Sequence, residues 1–405
     1  MVESENFLVS EAQLNLGQAR KEKAQRLKGV GEPIELLGKP LSIDIHDGIA
    51  WIAENTTVVR KLDLETGKTL KVLKGHTGPV ASLAFCPKQP GDKKREIIIT
   101  GSWDRSIKVW NLATQQLIST TPNAHLDFVK SLHVFPKLGL LVSGGSDKII
   151  RFWDISNPES REPLRNMGFI SSHTRPVECL DGHSTSDDTA SLYTGDTMGV
   201  IKAWQLNKEK DSTPPRWTAT LKHTYDHHRT RINELRYGNG YLWTASADDT
   251  AQVIPSTPED PSATLAKAPK PLVHPVAVRA LLPLDLTDLG EPYLITAAGD
   301  VLRTYDVSTI DQPELLGQVD AHWHDITSIR LWNRATTGED GKTRVEPWIV
   351  TTSLDRTIRK WKLSYLLNPP PPLAIIANSN LQPVPEEAAL TEEEERELAE
   401  LMEDD

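Results

Sequence analysis

An internal repeat constrains this chain more than any other feature of its sequence. Aligned against itself, the chain shows a unit recurring roughly every 40 to 50 residues, a period typical of blocks that cannot bury an apolar face alone and must stack to do so. The clearest copies span 73–112 (LKGHTGPVASLAF...IIITGSWDRSIKVWNL), 123–155 (NAHLDFVKSLHVF...LLVSGGSDKIIRFWDI) and 320–363 (DAHWHDITSIRLW...WIVTTSLDRTIRKWKL). Each runs from a Gly-His or Ala-His pair through an alternating apolar stretch to a second one ending in Ser or Thr. A tight turn with Asp follows, then a third stretch ending at Trp. Short β-branched and apolar runs punctuated by turn residues read as strands, not helices. The fold class expected is therefore all-β.

In all three copies the Asp follows the Ser/Thr by four residues and precedes the Trp by six. On these residues the chain resembles the WD40-repeat β-propeller family, over about Gly31 to Ser364. The resemblance implies one four-stranded antiparallel blade per repeat and a buried hydrogen-bonded tetrad in each complete one. His76, Thr100, Asp104 and Trp110 make one set; His125, Ser143, Asp147 and Trp153 a second; His322, Thr351, Asp355 and Trp361 a third. The physical logic is that a buried Asp must be paired and a buried Trp N–H needs an acceptor, and His with a hydroxyl bridges the two.

Four weaker copies depart from this pattern. The unit at 36–63 lacks the His, the Asp and the Trp. The fourth keeps His173, Thr194 and Trp204 but has Met198 where Asp is expected, with Asp196 close by, so its network is expected to be broken at Met198. The fifth retains His228, Thr244 and Asp248 and ends at Ile254. The sixth keeps His274 and Thr296, with a shortened turn at Gly299-Asp300 and Tyr305 in the Trp place. Three complete and four degenerate units predict a seven-bladed ring, whose closure removes exposed sheet edges. EPIELLG (32–38) precedes the first inner strand as KTLKVLKG precedes the second. It is therefore expected to form the outer strand of the last blade, paired with the strand ending in KWKL. Eight blades, with 373–377 as a further strand, is the competing count.

Hydrophobic content of 38% and charged content of 25% suit a folded globular protein, and no run of about 18 apolar residues offers a membrane span. The N-terminal MVESENFLVSEAQ is acidic and polar where a secretory or transit signal would be basic, so an intracellular site, nucleus or cytoplasm, is expected. Cys86 and Cys179 lie far apart in apolar segments, too few for a disulfide framework or a four-ligand zinc site. Of the net charge of −11, the segment from Leu373 to Asp405 holds −10, eleven acids against Arg396, which leaves −1 for the rest. The body thus lacks the basic excess of a nucleic-acid binder, and the acidic tail suits a basic protein partner.

The expected organisation is an N-terminal extension at 1–30, a propeller at 31–364, and a Pro-rich spacer with an acidic tail at 365–405. The extension has helical character, with Ser10 and Gln13 as a capping box. Prolines 369–372 make a stiff extended spacer. Beyond them LTEEEERELAELMEDD offers a short helix, with Leu398, Leu401 and Met402 on one side, that would order only when bound.

Twelve histidines invite a metal or catalytic assignment. Four of them, His76, His125, His173 and His322, occupy the repeat's own position and are assigned to structure, and His227 and His324 to solvated loops. No nucleophile elbow, phosphate loop or metal-ligand spacing is present, so no catalysis, metal, cofactor or small-molecule substrate is expected. The resemblance implies a protein-binding scaffold or adaptor in a multiprotein complex. In that family the side chains three and five places after the motif His, and the one before the tetrad Asp, leave the top face. Here these are Phe128, Lys130 and Trp103, joined by Glu178, Arg231, Asn233, Arg279, Asp325 and Thr327 from other blades. An aromatic pair beside a cation is the composition that binding hot spots favour.

Three alternatives compete. One is a chaperone or chromatin-type subunit that uses the acidic tail. Another is a ubiquitin-ligase substrate receptor, weakened because Ile155-Ser156 follows Trp153-Asp154 where a Trp-Asp-x-Arg motif would have Arg. The third is a hydrolase, which needs a polar constellation with shifted pKa near the central channel, and none can be assembled from the sequence.

Overall fold

The computed structural model describes residues 11–90, 95–209, 215–256, 269–337 and 343–369. Their strands form seven four-stranded antiparallel sheets. Six sheets take four consecutive strands each, at 40–74, 80–121, 129–170, 177–225, 232–273 and 278–320, and are blades 1 to 6. Blade 7 takes three strands from 326–362 and completes itself with Ile34–Glu35. The first strand of each blade packs on the first strand of the next, and that of blade 7 on that of blade 1. The chain is a closed seven-bladed β-propeller.

The strand types follow from what each strand faces. The second strands of blades 2 and 3, Ile97–Ser102 and Leu140–Gly145, are buried along their whole length between neighbouring blades. That is why IIIT and LLVS are unbroken apolar runs, whereas first strands alternate. The core therefore lies between blades: Phe135, Val142 and Phe152 of blade 3 meet Val177, Leu192 and Trp204 of blade 4. Burying side chains of this size contributes roughly 1.5–3 kcal/mol each. The turn after the second strand places Thr57, Arg105, Lys148, Gly199, Asp249 and Arg356 in the left-handed region, one per blade except blade 6, where Gly299 supplies the positive φ. Each first strand also carries a register irregularity near its start, as between Val129 and Ser131, which re-aims the following side chains toward the channel.

Closure is made by the N-terminal segment. Ile34 pairs with Ile358 and Glu35 with Thr357. Just before it, Gly31 at φ 71° lies against Trp361, where a Cβ would stand 2.6 Å from the indole, so only glycine fits. The Arg359 guanidinium donates to the carbonyls of Leu27, at 2.8 Å, and Val30. Upstream, helix α1 (Glu11–Arg26) is tied to blade 6 by Lys23 to Asp300 at 2.9 Å and by Lys23 and Arg26 to Asp320 at 3.1 and 2.8 Å. Cys86 and Cys179 are free and buried, and burial pushes the Cys86 thiol up to about 12. No helix among the described residues is long and apolar enough to cross a membrane. Ser10, the alternative strand at 373–377 and the acidic segment with Leu398, Leu401 and Met402 lie outside the described residues.

Candidate protein-docking face

The repeat histidines are positioned by hydrogen bonds that leave them no free chemistry. In blade 2, His76 Nδ1 lies 2.8 Å from Asp104, its Nε2 lies 2.7 Å from the Thr100 hydroxyl, and Trp110 Nε1 donates to that hydroxyl at 3.0 Å. Blade 3 repeats the set with His125 to Asp147 at 2.9 Å, His125 to Ser143 at 2.7 Å and Trp153 to Ser143 at 2.8 Å. Blade 7 repeats it with His322 to Asp355 at 2.8 Å, His322 to Thr351 at 2.8 Å and Trp361 to Thr351 at 3.1 Å. One proton arrangement satisfies every group: indole to hydroxyl, hydroxyl to Nε2, and Nδ1–H to carboxylate, around a neutral imidazole. Burial lowers the pKa of His125 and His322, against the pull of their aspartates. Burial would raise Asp147, but its bonds from His125 and Arg151 hold the carboxyl well below the usual range.

The degenerate blades correct several sequence expectations. Blade 4 is not broken at Met198. Asp196 takes His173 Nδ1 at 3.0 Å and accepts the Met198 and Val200 N–H groups at 2.8 and 3.1 Å, while His173 and Trp204 both bond the Thr194 hydroxyl. A carboxylate launched two residues earlier reaches the same point, and Met198 turns outward, half exposed. Blade 5 keeps His228 to Asp248 at 3.1 Å and to Thr244 at 2.8 Å. In blade 6, His274 bonds Thr296 at 2.9 Å and Leu272 O at 3.0 Å, and the Tyr305 hydroxyl stands 3.3 Å from it. Blade 1 substitutes a buried ion pair, Glu54 with Arg60, braced by the Thr56 hydroxyl. Two loop histidines are also less solvated than expected. His227 is partly buried, its ring 4.5 Å from that of His228, and burial together with that neighbour pushes its pKa down to about 4. His324 is partly buried, with Nδ1 accepting the Asp325 N–H at 2.7 Å.

What the repeat leaves over is the face carrying the turns. Trp103 and Phe128 stack with centroids 5.0 Å apart and planes at 15°, and they remain 36% and 39% exposed. Lys130 Nζ lies 5.4 Å over the Trp103 ring. Glu178 joins this group to blade 5, 3.6 Å from Lys130 and 2.6 Å from Arg231. Across the ring Arg279 pairs with Asp325 at 3.0 Å. Asn233 and Thr327 are held structurally, Asn233 by Val278 O of the next blade at 2.7 Å and Thr327 by Thr352 at 2.8 Å. Trp103, Lys130, Glu178, Arg231, Asn233, Arg279 and Thr327 all line the central cavity of about 620 Å³, while Phe128 and Asp325 stand outside that lining. Sequence reasoning missed Leu126, 77% exposed, two residues before Phe128. A large apolar side chain directly after the motif His, where blades 2 and 4 have Thr77 and Thr174, was the available signal.

Deeper in the channel lies a charged constellation that the sequence did not reveal. Glu234 of blade 5 accepts from Arg236 at 2.7 Å, Arg330 of blade 7 at 3.3 Å and the Leu281 N–H of blade 6 at 2.9 Å. Asp181 of blade 4 accepts the Tyr237 N–H at 2.7 Å and lies 3.4 Å from His133 of blade 3. Burial would raise Glu234, but Arg236 and Arg330 keep it below the usual carboxylate range. A carboxylate fixed between guanidiniums is a strut between blades and a poor general acid.

The profile of the WD domain, G-beta repeat family matches residues 67–111 and 116–154, which run from the last strand of blade 1 to the third strand of blade 3. An uncharacterized WD repeat-containing protein of Schizosaccharomyces pombe is 27% identical over 98% of both chains. A ribosome biogenesis protein, YTM1, of Ajellomyces capsulatus is 29% identical over 35% of this chain and 26% of its own length. The nuclear distribution protein PAC1 of Arthroderma otae is 27% identical over 45% of this chain and 41% of its own. A crystal structure of the computationally designed Ika8 protein matches with TM-score 0.54 at 20% identity, over 80% of this chain and 83% of that one, a likeness of fold alone.

Proposed function

We propose that this seven-bladed β-propeller, WD40-type in the repeats that the family profile matches, is a non-catalytic scaffold or adaptor of an intracellular multiprotein complex, docking partner segments on its top face. The observation that carries this is the half-exposed Trp103–Phe128 stack with Lys130 over it, at the mouth of the central channel. An aromatic ring already immobilised by stacking loses little side-chain entropy on binding, so most of its burial is available as affinity. The non-catalytic assignment is supported by the engagement of the repeat carboxylates and histidines in structural pairs. It is also supported by partial relatives named for ribosome biogenesis and nuclear distribution. The acidic segment at 378–405 supplies a second contact, for a basic partner.

The test is Trp103→Ala combined with Phe128→Ala. Recovery of co-purifying partners should fall at least tenfold, on the order of 1.4 kcal/mol or more, while the circular dichroism spectrum and the melting temperature stay close to wild type. Full recovery by the folded double variant would move the docking site away from this face.

A further inference from the structure

The top face is electrically divided. Over blade 6 it presents Asp300 and Asp320, and these already hold a basic helix of the same chain, through Lys23 and Arg26 of α1. Over blades 2 to 5 the turns and loops carry more exposed cations, although Asp249 tips the turn of blade 5. Arg105 and Lys148 stand exposed on the left-handed tips of adjacent turns, at φ 68° and 69°. Arg175 and Arg229 stand exposed in the loops that follow His173 and His228. Glu178, which faces the same sector, is already engaged by both Lys130 and Arg231. Nested within this arc is the apolar group of Trp103, Phe128 and Leu126.

Deepening the docking function proposed above, and resting on it, we propose that this sector takes an acidic segment of a partner protein. Carboxylates of the segment meet Arg105, Lys148, Arg175 and Arg229, and an aliphatic or aromatic side chain is buried against Trp103, Phe128 and Leu126. Charge complementarity selects this occupant. α1 shows, with opposite signs, that a charged helix is held at this rim by three ion pairs. A nucleic acid fits less well, because the sector also presents the exposed carboxylates Asp127 and Asp226 and because the chain outside 373–405 carries a net charge of −1. Guanidinium groups add directional, charge-assisted hydrogen bonds to carboxylates, so orientation as well as affinity is supplied.

The experiment uses the full chain and three fluorescein-labelled probes: the synthetic peptide EELEEFEELE, its counterpart with every Glu replaced by Lys, and a twelve-nucleotide oligouridylate, followed by polarisation at low and high salt. The acidic peptide should bind, and its affinity should fall as salt screens the pairs. The triple variants Arg105→Glu, Lys148→Glu, Arg175→Glu and Arg105→Gln, Lys148→Gln, Arg175→Gln should each lose at least tenfold in affinity, the glutamate set more. Equal or tighter binding of the lysine peptide or of the oligouridylate, or unchanged affinity in both triple variants, overturns the proposal. If the triple variants keep their natural partners while the Trp103→Ala, Phe128→Ala variant loses them, the docking face stands and the acidic partner falls. If the aromatic variant also keeps them, the docking face itself falls.

Discussion

Asp196 and Asp300 show how far a carboxylate can depart from the repeat's spacing and still be used. Asp196 sits two residues before its expected place and closes the His173 network all the same. Asp300, in the shortened turn of blade 6, leaves His274 to Thr296 and Tyr305 and holds Lys23 of α1 instead. The consequence is measurable in blade 4. Asp196→Ala strands a buried imidazole and two backbone N–H groups and should destabilise by about 3–5 kcal/mol, the range for removing one partner of a buried pair. Met198→Ala trims an outward side chain and should stay within roughly 0.5 kcal/mol. Urea unfolding midpoints check both, and a Met198→Ala loss as large as that of Asp196→Ala would refute the assignment.

At the scale of elements the decisive piece is Ile34–Glu35 with the turn before it. Deleting residues 1–37 would leave the strand Thr357–Lys362 with an open edge, uncover Trp361 beside the lost Gly31, and strip Arg359 of its two carbonyl acceptors. The melting temperature should drop by roughly 5 °C or more, with concentration-dependent aggregation. Deleting 1–26 removes α1 but keeps the latch, so the drop should be clearly smaller. Equal melting temperatures for the two truncations would show that the latch contributes nothing. This element was legible in the sequence because EPIELLG echoes a segment found before another blade, and the blades were legible because His, Ser/Thr, Asp and Trp recur at fixed spacing. The seat of α1 was not, since Lys23 meets Asp320 across 297 positions and nothing local marks the pairing. Trp103, Phe128 and Lys130 were legible from their places relative to the motif. The link from Glu234 to Arg330, 96 positions apart, was not, because register around the ring sets it.

For the whole molecule, the repeated networks add into one pH response whose sign is fixed. Burial lowers the pKa of His125, His228 and His322, and brings His227 and His274 down to about 4. In the unfolded chain these groups return to about 6.5. Between those values the unfolded state binds more protons, so stability is complete above about pH 6.5 and is lost progressively as pH falls toward 4. His274, 4% exposed, alone accounts for at most about 3 kcal/mol of that loss. Below pH 4 a second loss begins, because Asp104, Asp147, Asp196, Asp248 and Asp355 are held under the ordinary carboxylate range and must then be protonated. The urea midpoint should therefore fall from pH 7.5 to 5.5 and again to 4.5. Because the core of each blade is shared with the blades on both sides, loss at one tetrad opens two interfaces, so the transition should remain a single step down to about pH 5. A midpoint that is flat or rises on acidification between pH 7 and 5 would contradict neutral buried histidines in the folded ring.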